Sequence, residues 1–164
     1  FGGQRADLHE WEIHLNTLFP EVRLKNTLEV RGGDSLPTRY APALPALWTG
    51  ILYDERALDE ADSLTESFTA AEMEALRPAV AKEGVSAMFR GKRLAAVAER
   101  VLTIANGGLA RRARRNDDGA DETIHLAALS KLIAAGKCPA DELLQDLPSE
   151  TRAMGDELVR RVRL

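Results

Sequence analysis

Phe19-Pro20-Glu21-Val22-Arg23-Leu24-Lys25-Asn26-Thr27-Leu28-Glu29-Val30-Arg31-Gly32-Gly33-Asp34 is the stretch on which the fold of this chain turns. Pro20 blocks a helix from the N-terminal side, and Gly32-Gly33 close the run. Between them apolar residues fall at Val22, Leu24, Leu28 and Val30, with Asn26 as the exception. Arg23, Lys25, Thr27, Glu29 and Arg31 take the alternate positions. A period of two predicts a β-strand over about 22–31 with one apolar and one charged face. In a continuous strand Glu29 and Arg31 stand about 7 Å apart, and Arg23 about 26 Å from Arg31. Such a row suits a groove that holds a long polyanion, with a metal at the carboxylate end. Mg²⁺ prefers hard oxygen ligands and shares its shell with phosphates, and guanidinium groups grip oxyanions at two points. The same row also describes a solvated edge strand whose charges prevent aggregation. Periodicity does not separate the two readings.

Outward from this stretch the chain reads as helical. Asp7 with Glu10 forms a capping box ahead of Leu8, Trp11, Leu15 and Leu18, which predicts a helix over 8–18 ended by Phe19-Pro20. His9 and His14 lie on it as ordinary helix residues, since a spacing of five does not share a face. Leu44, Leu47, Trp48, Ile51 and Leu52 predict a helix from Pro42 to about Ala61, with Trp48 and Tyr53 in the core. Thr69 and Glu72 cap a further helix that Pro78 limits or kinks, and residues 84–91 read as a loop. Leu94 to Arg115 is a long helical pattern, which Gly107-Gly108 weakens in the middle. Arg111, Arg112, Arg114 and Arg115 sit at its C-terminal end, where cations complement the helix dipole. A helix begins at Asp121 or Thr123 and stops at Gly136. A short one opens at Pro139, and an amphipathic one begins near Ser149. Cys138, between Lys137 and Pro139, is not expected to act as a nucleophile.

The 164 residues suffice for one domain with a core. A hydrophobic fraction of 45% with 29% charged residues is that of a globular protein, and the net charge of −4 argues against general nucleic-acid binding. No apolar run reaches the ~20 residues of a membrane helix. A single cysteine fits a reducing compartment, so a cytoplasmic location is expected. The opening on Phe1 predicts a cleaved or truncated product. One strand among six or seven helices cannot satisfy its own backbone groups. The sheet it belongs to is therefore expected outside this sequence, from oligomerisation or from residues upstream of Phe1.

The segments His14–Lys25, Leu28–Asp34 and Leu44–Glu55 resemble the glutamate–cysteine ligases of the plant and proteobacterial type, and weaker similarity continues through Phe89-Arg90 to about Pro148. A wider echo is the Glu-x-Arg-x-x-Asp strand of the glutamine synthetases, which share the fold type. The resemblance implies a mostly helical α+β fragment: one strand of a glutamine synthetase-like antiparallel sheet followed by a C-terminal helical bundle. It divides the chain into 1–40, carrying a helix, the active-site strand and a loop, and 41–164, a helical subdomain. It implies ATP-dependent formation of γ-glutamylcysteine through γ-glutamyl phosphate, in glutathione biosynthesis, with L-glutamate, L-cysteine and ATP as substrates and Mg²⁺ as cofactor. Partnership with a missing N-terminal part of the same polypeptide follows from it, and neither a nucleic acid nor a membrane. Glu29 is then the metal ligand and Arg31 the catalytic residue on the transferred phosphoryl group or the glutamate carboxylate. Arg23, Lys25, Arg31 and Arg39 bind substrate or phosphate. Where the family carries a Gly-Pro-Trp-Arg-like segment, this chain reads Ser35-Leu36-Pro37-Thr38-Arg39-Tyr40, which leaves a different amine substrate open. The rival class is a non-catalytic helical module for regulation or oligomerisation.

Overall fold

Asp7 and Glu10 start the first helix as their spacing demands. Asp7 Oδ1 accepts the Glu10 N–H at 2.8 Å, and Glu10 Oε2 accepts the Asp7 N–H at 2.9 Å. The helix, α1, spans Leu8–Thr17 and ends at Leu18, whose extended backbone leads into Phe19-Pro20. The computed structural model describes residues 5–24, 26–34 and 36–162. It divides the chain into two compact units, Phe1–Ser35 and Leu36–Leu164.

In the first unit the expected single strand over 22–31 is a hairpin. β1 (Val22–Leu24) and β2 (Leu28–Val30) pair antiparallel, with Val22 opposite Val30, Arg23 opposite Glu29 and Leu24 opposite Leu28. Asn26, the residue that breaks the apolar alternation, lies in the connection; three residues join the strands, a common hairpin length. Folding back lets the two halves satisfy each other's backbone groups. Part of the pairing expected from outside the sequence is thus supplied by the second half of the same stretch. The phase of the alternation survives, so the apolar residues keep one face and Arg23, Glu29 and Arg31 the other. The expected 26 Å row is replaced by a compact cluster. No described residue of this unit is buried.

The second unit is helical: α2 (Ala43–Leu52), α3 (Glu55–Thr65), α4 (Ala70–Glu83), α5 (Leu94–Arg112), a 3₁₀ turn at Glu122–Leu126, α6 (Ala127–Ala134), α7 (Pro139–Leu144) and α8 (Thr151–Val162). A mostly helical α+β chain is therefore observed. Among the described residues no helix is long and apolar enough to cross a membrane.

The helix expected over 42–61 is two helices. Asp54 takes an extended conformation and its Oδ1 accepts the Ala57 N–H at 2.8 Å, which starts α3. Tyr53, expected in the core, is 71% exposed, with the Arg112 guanidinium 5.3 Å from its ring centroid. Thr69 and Glu72 form their capping box. Pro78 lies inside α4, which continues to Glu83. The expected loop at 84–91 contains a two-stranded ribbon, β3 (Met88–Phe89) and β4 (Lys92–Arg93), turned by Arg90 and Gly91 at φ 48° and 77°. Arg90 is a structural clamp. It donates from Nε and Nη2 to the two Glu72 oxygens at 2.7 Å, from Nη1 to Ser67 Oγ at 2.7 Å, and covers the edge-to-face pair Phe68–Phe89.

α5 runs unbroken through Gly107-Gly108. Gly108 is buried where α5 crosses α2: a Cβ there would meet the Gly50 carbonyl oxygen at 1.8 Å. A Cβ at Gly50 would meet the Ala105 carbonyl oxygen at 2.2 Å. The two backbones touch, and Ala46, Ile51, Ala57, Leu102, Leu109 and Leu126 close the core around the crossing. The arginine cluster at the end of α5 also has structural duties. Arg111 Nη2 bonds Asp54 Oδ1 at 2.6 Å, and Arg112 Nε bonds Glu122 Oε2 at 3.4 Å.

Replacement of Gly108 by alanine forces backbone apart at this crossing and costs about 3 kcal/mol, at the upper end of overpacking effects. Denaturant unfolding of the chain reads the loss; an unchanged midpoint would show that the helices do not approach this closely. A second expectation concerns acid. The Arg111 hydrogen bonds hold the Asp54 carboxyl at about 2, below its ordinary 3.8, and those of Arg90 hold Glu72 at about 2, below 4.5. The unfolded chain therefore binds more protons across this window. Stability present above the ordinary values is lost as pH falls toward 2. Asp54→Asn and Glu72→Gln keep the caps and flatten the dependence of melting temperature on pH over that range. A slope equal to the parent's would place these carboxylates away from their arginines.

Candidate functional site

The antiparallel register puts side chains from both strands on one charged face of the hairpin. Arg23 stands opposite Glu29, and the Arg31 N–H donates to the Glu21 carbonyl at 2.7 Å, so the same register continues one pair outward. Glu21, Arg23, Glu29 and Arg31 therefore share this face, two carboxylates among two guanidinium groups. Glu29 lies at its centre. Its Oε2 accepts from Arg23 Nε at 2.8 Å and Nη2 at 2.6 Å, while Arg31 Nε lies 3.6 Å from its Oε1. Both arginine side chains are half-buried and the Glu29 side chain is 44% exposed.

Arg31 is held from two more directions. Its Nη1 donates to the Leu18 carbonyl at 3.4 Å, and its guanidinium carbon lies 4.5 Å from the centroid of the Phe19 ring. No signal in the sequence links Phe19 to Arg31. The two are twelve positions apart and share no periodicity. A groove of about 540 Å³ runs beside the hairpin between α1 and β1, lined by Leu15, Leu18, Val22 and Leu24 with Glu12 and Arg23 at its polar margin.

Of the residues expected at the site, the hairpin gathers Arg23, Glu29 and Arg31. Lys25 lies outside the described residues. Arg39 belongs to the second unit, where it serves a different constellation: its Nη2 donates to Glu142 Oε2 at 2.5 Å, and its guanidinium lies 4.8 Å from the Tyr40 ring centroid. Tyr40, the aromatic of the departing segment, is buried and donates its hydroxyl to the same Glu142 oxygen at 2.6 Å. The Tyr40 hydroxyl and then Arg39 lower the Glu142 pKa. Glu142, on α7 and about a hundred residues away in sequence, could not have been paired with Tyr40 by any local signal.

A guanidinium pair bridged by one carboxylate can hold an oxyanion at either outer edge, because each fork presents several donors in a fixed plane. The fit to a divalent cation is narrower. Among the described residues no three histidine, cysteine, aspartate or glutamate side chains cluster at metal-holding distance. Glu29 alone suits Mg²⁺ as one oxygen ligand of several, the others coming from phosphates or from further polypeptide.

The profile of glutamate-cysteine ligase family 2 (GCS2) matches residues 2–163. The chain is similar to chloroplastic glutamate–cysteine ligases. It is 44% identical to that of Medicago truncatula over 143 residues, which are 87% of this chain and 27% of the relative. It is 43% identical to that of Arabidopsis thaliana over 143 residues, 87% of this chain and 26% of the relative. With glutamate–cysteine ligase A of Oryza sativa subsp. indica it shares 41% over 142 residues, 87% of this chain and 28% of the relative. The chain spans about a quarter of the length of the curated relatives it matches. The cytoplasmic expectation is corrected by the same finding, since these relatives are chloroplastic; one cysteine carries no information about which reducing compartment holds a protein.

Tyr40→Phe removes the hydroxyl that most strongly stabilises the Glu142 carboxylate. The Glu142 pKa then moves up toward the ordinary glutamate range, and stability falls by about 1 kcal/mol, the size of one partly exposed charge-assisted hydrogen bond. Carbon-detected NMR titration of the Glu142 carboxyl checks the first and denaturant unfolding the second. A Glu142 titration that ignores the substitution would remove the Tyr40 bond from the solution structure.

Proposed function

The chain belongs to glutamate-cysteine ligase family 2, and on that premise we propose that it is the C-terminal portion of an ATP-dependent glutamate–cysteine ligase. The observation that carries this reading is the cluster of Arg23, Glu29 and Arg31 on one hairpin face, inside a chain that the family profile spans almost end to end. The reaction proposed joins glutamate to cysteine. The γ-carboxylate of glutamate attacks the terminal phosphorus of ATP, ADP leaves, and the amine of cysteine displaces phosphate from the resulting γ-glutamyl phosphate.

In this scheme the hairpin does electrostatic work. Charge accumulates on the oxygens of the transferring phosphoryl group, and preorganised cations lower that barrier because they need no reorientation as the charge moves. Arg31 receives the phosphoryl oxygens or the glutamate carboxylate in two-point geometry. Arg23 extends the positive edge and, through its bonds to Glu29, fixes the carboxylate between the two forks. Mg²⁺, when bound, screens the phosphate charge, with Glu29 as one of its oxygen ligands. The remaining groups of the site come from the rest of a ligase polypeptide, so the 164 residues alone are expected to turn over no substrate. The segment at 36–40 bears on the amine substrate: Tyr40 is buried and committed to Glu142, and a γ-glutamyl ligase that takes another amine remains within this proposal.

The test is made in a complete ligase polypeptide carrying this segment. Glu29→Gln and Arg31→Ala each lower glutamate- and cysteine-dependent ADP release by about 10²–10³, the cost of one preorganised contact, while the circular dichroism of the helical unit is unchanged. Turnover near the parent rate in both variants would leave this segment as a structural module. Presenting other amines to the same polypeptide decides the second substrate.

A further inference from the structure

How well Arg31 meets an oxyanion depends on what holds its guanidinium still. An unrestrained arginine loses side-chain freedom on binding, and one already held in place loses less. Two local features bring a restraint to it. α1 ends at Leu18 with extended backbone, φ −74° and ψ 135°, and Pro20 disfavours a helical conformation at Phe19. The chain therefore leaves the helix pointing the Leu18 carbonyl and the Phe19 ring at the same target. That target is Arg31: its Nη1 lies 3.4 Å from the carbonyl and its guanidinium carbon 4.5 Å from the ring centroid. The backbone beneath it is tied by the 2.7 Å bond from its N–H to the Glu21 carbonyl. Phe19 is 77% exposed, so burial within its own unit does not account for where the ring stands.

We propose that Phe19 is a positioning residue for Arg31. The ring holds one face of the guanidinium, the Leu18 carbonyl and the Glu29 carboxylate hold its edges, and the fork is presented to an incoming phosphoryl or carboxylate group in a single orientation. This rests on the function proposed for Arg31 above and adds to it the group through which that function is set.

The experiment is a double-mutant cycle between Phe19 and Arg31 in the complete ligase polypeptide. Phe19→Leu keeps apolar bulk, and with it any docking role, but removes the ring. Phe19→Tyr and Phe19→Trp keep a ring. Phe19→Leu lowers kcat/KM about two- to fivefold, the range of an exposed cation–π contact, and the two aromatic variants stay near the parent. On an Arg31→Gln background Phe19→Leu has no further effect, because no cation is left to hold. The same cycle read in the Kd of ATP and of glutamate by calorimetry needs no turnover, and so holds even when Arg31→Gln is nearly inactive. Equal losses on both backgrounds, or a Phe19→Leu enzyme equal to the parent, overturn the positioning role. An Arg31→Gln enzyme that works normally sinks the role proposed for Arg31 itself. An impaired Arg31→Gln beside a normal Phe19→Leu leaves that role standing and removes only the positioning.

Discussion

The backbone contact between α2 and α5 is the constraint on which the helical unit depends. Gly50 and Gly108 face each other with no room for a Cβ on either side. Two helices that meet on glycine and alanine approach closely enough for their carbonyl groups to be packing atoms. A dense interior tolerates no added methyl at such a place. The core residues Ala46, Ala57, Leu102 and Leu109 are arranged around that crossing, and Asp54, which opens the next helix, lies just past it. The Asp54–Arg111 pair then ties the start of α3 to the last turn of α5. Glycine is a poor helix former, and its presence in the interior of two helices is explained by proximity and not by flexibility.

The charged hairpin works on a different principle. Among its described residues none is buried, and its order comes from cross-strand register and from ionic contacts at its surface. Glu29 is the pivot: its carboxylate accepts two hydrogen bonds from Arg23, and Arg31 Nε stands 3.6 Å from its other oxygen. An isolated pair at a surface contributes little to stability. In the proposed phosphoryl transfer, a carboxylate shared by two forks, one of them also stacked on an aromatic ring, would matter for orientation. The second unit uses its ion pairs and charge-assisted hydrogen bonds in the other way. Arg90–Glu72, Arg111–Asp54 and Tyr40–Glu142 join elements and close caps, and in each the arginine or hydroxyl is already committed to structure. On the hairpin, Arg23 and Arg31 are gathered around the partly exposed Glu29 carboxylate.

Much of this was legible in the residue order. Capping boxes at Asp7 and Thr69, the helical spacing in α2 and α5, and the alternation from Val22 to Arg31 are signals carried by residues a few positions apart; the caps opened their helices, while the expected helix over 42–61 divided in two and the expected strand folded into a hairpin. The alternation also placed Arg23, Glu29 and Arg31 on a common side, and that survived because a hairpin in this register keeps the phase. What the order of residues could not decide is where the chain doubles back and what then touches. A strand and a hairpin share the same period, and Asn26 was the one hint that separated them. The contact of Arg23 with Glu29, the seat of Phe19 on Arg31, the burial of Tyr40 against Glu142 and the meeting of Gly50 with Gly108 all join residues that local propensity treats as strangers. Only the folded backbone brings them within hydrogen-bond or van der Waals range, because contact energies fall away within a few ångströms while the signals of sequence run along the chain.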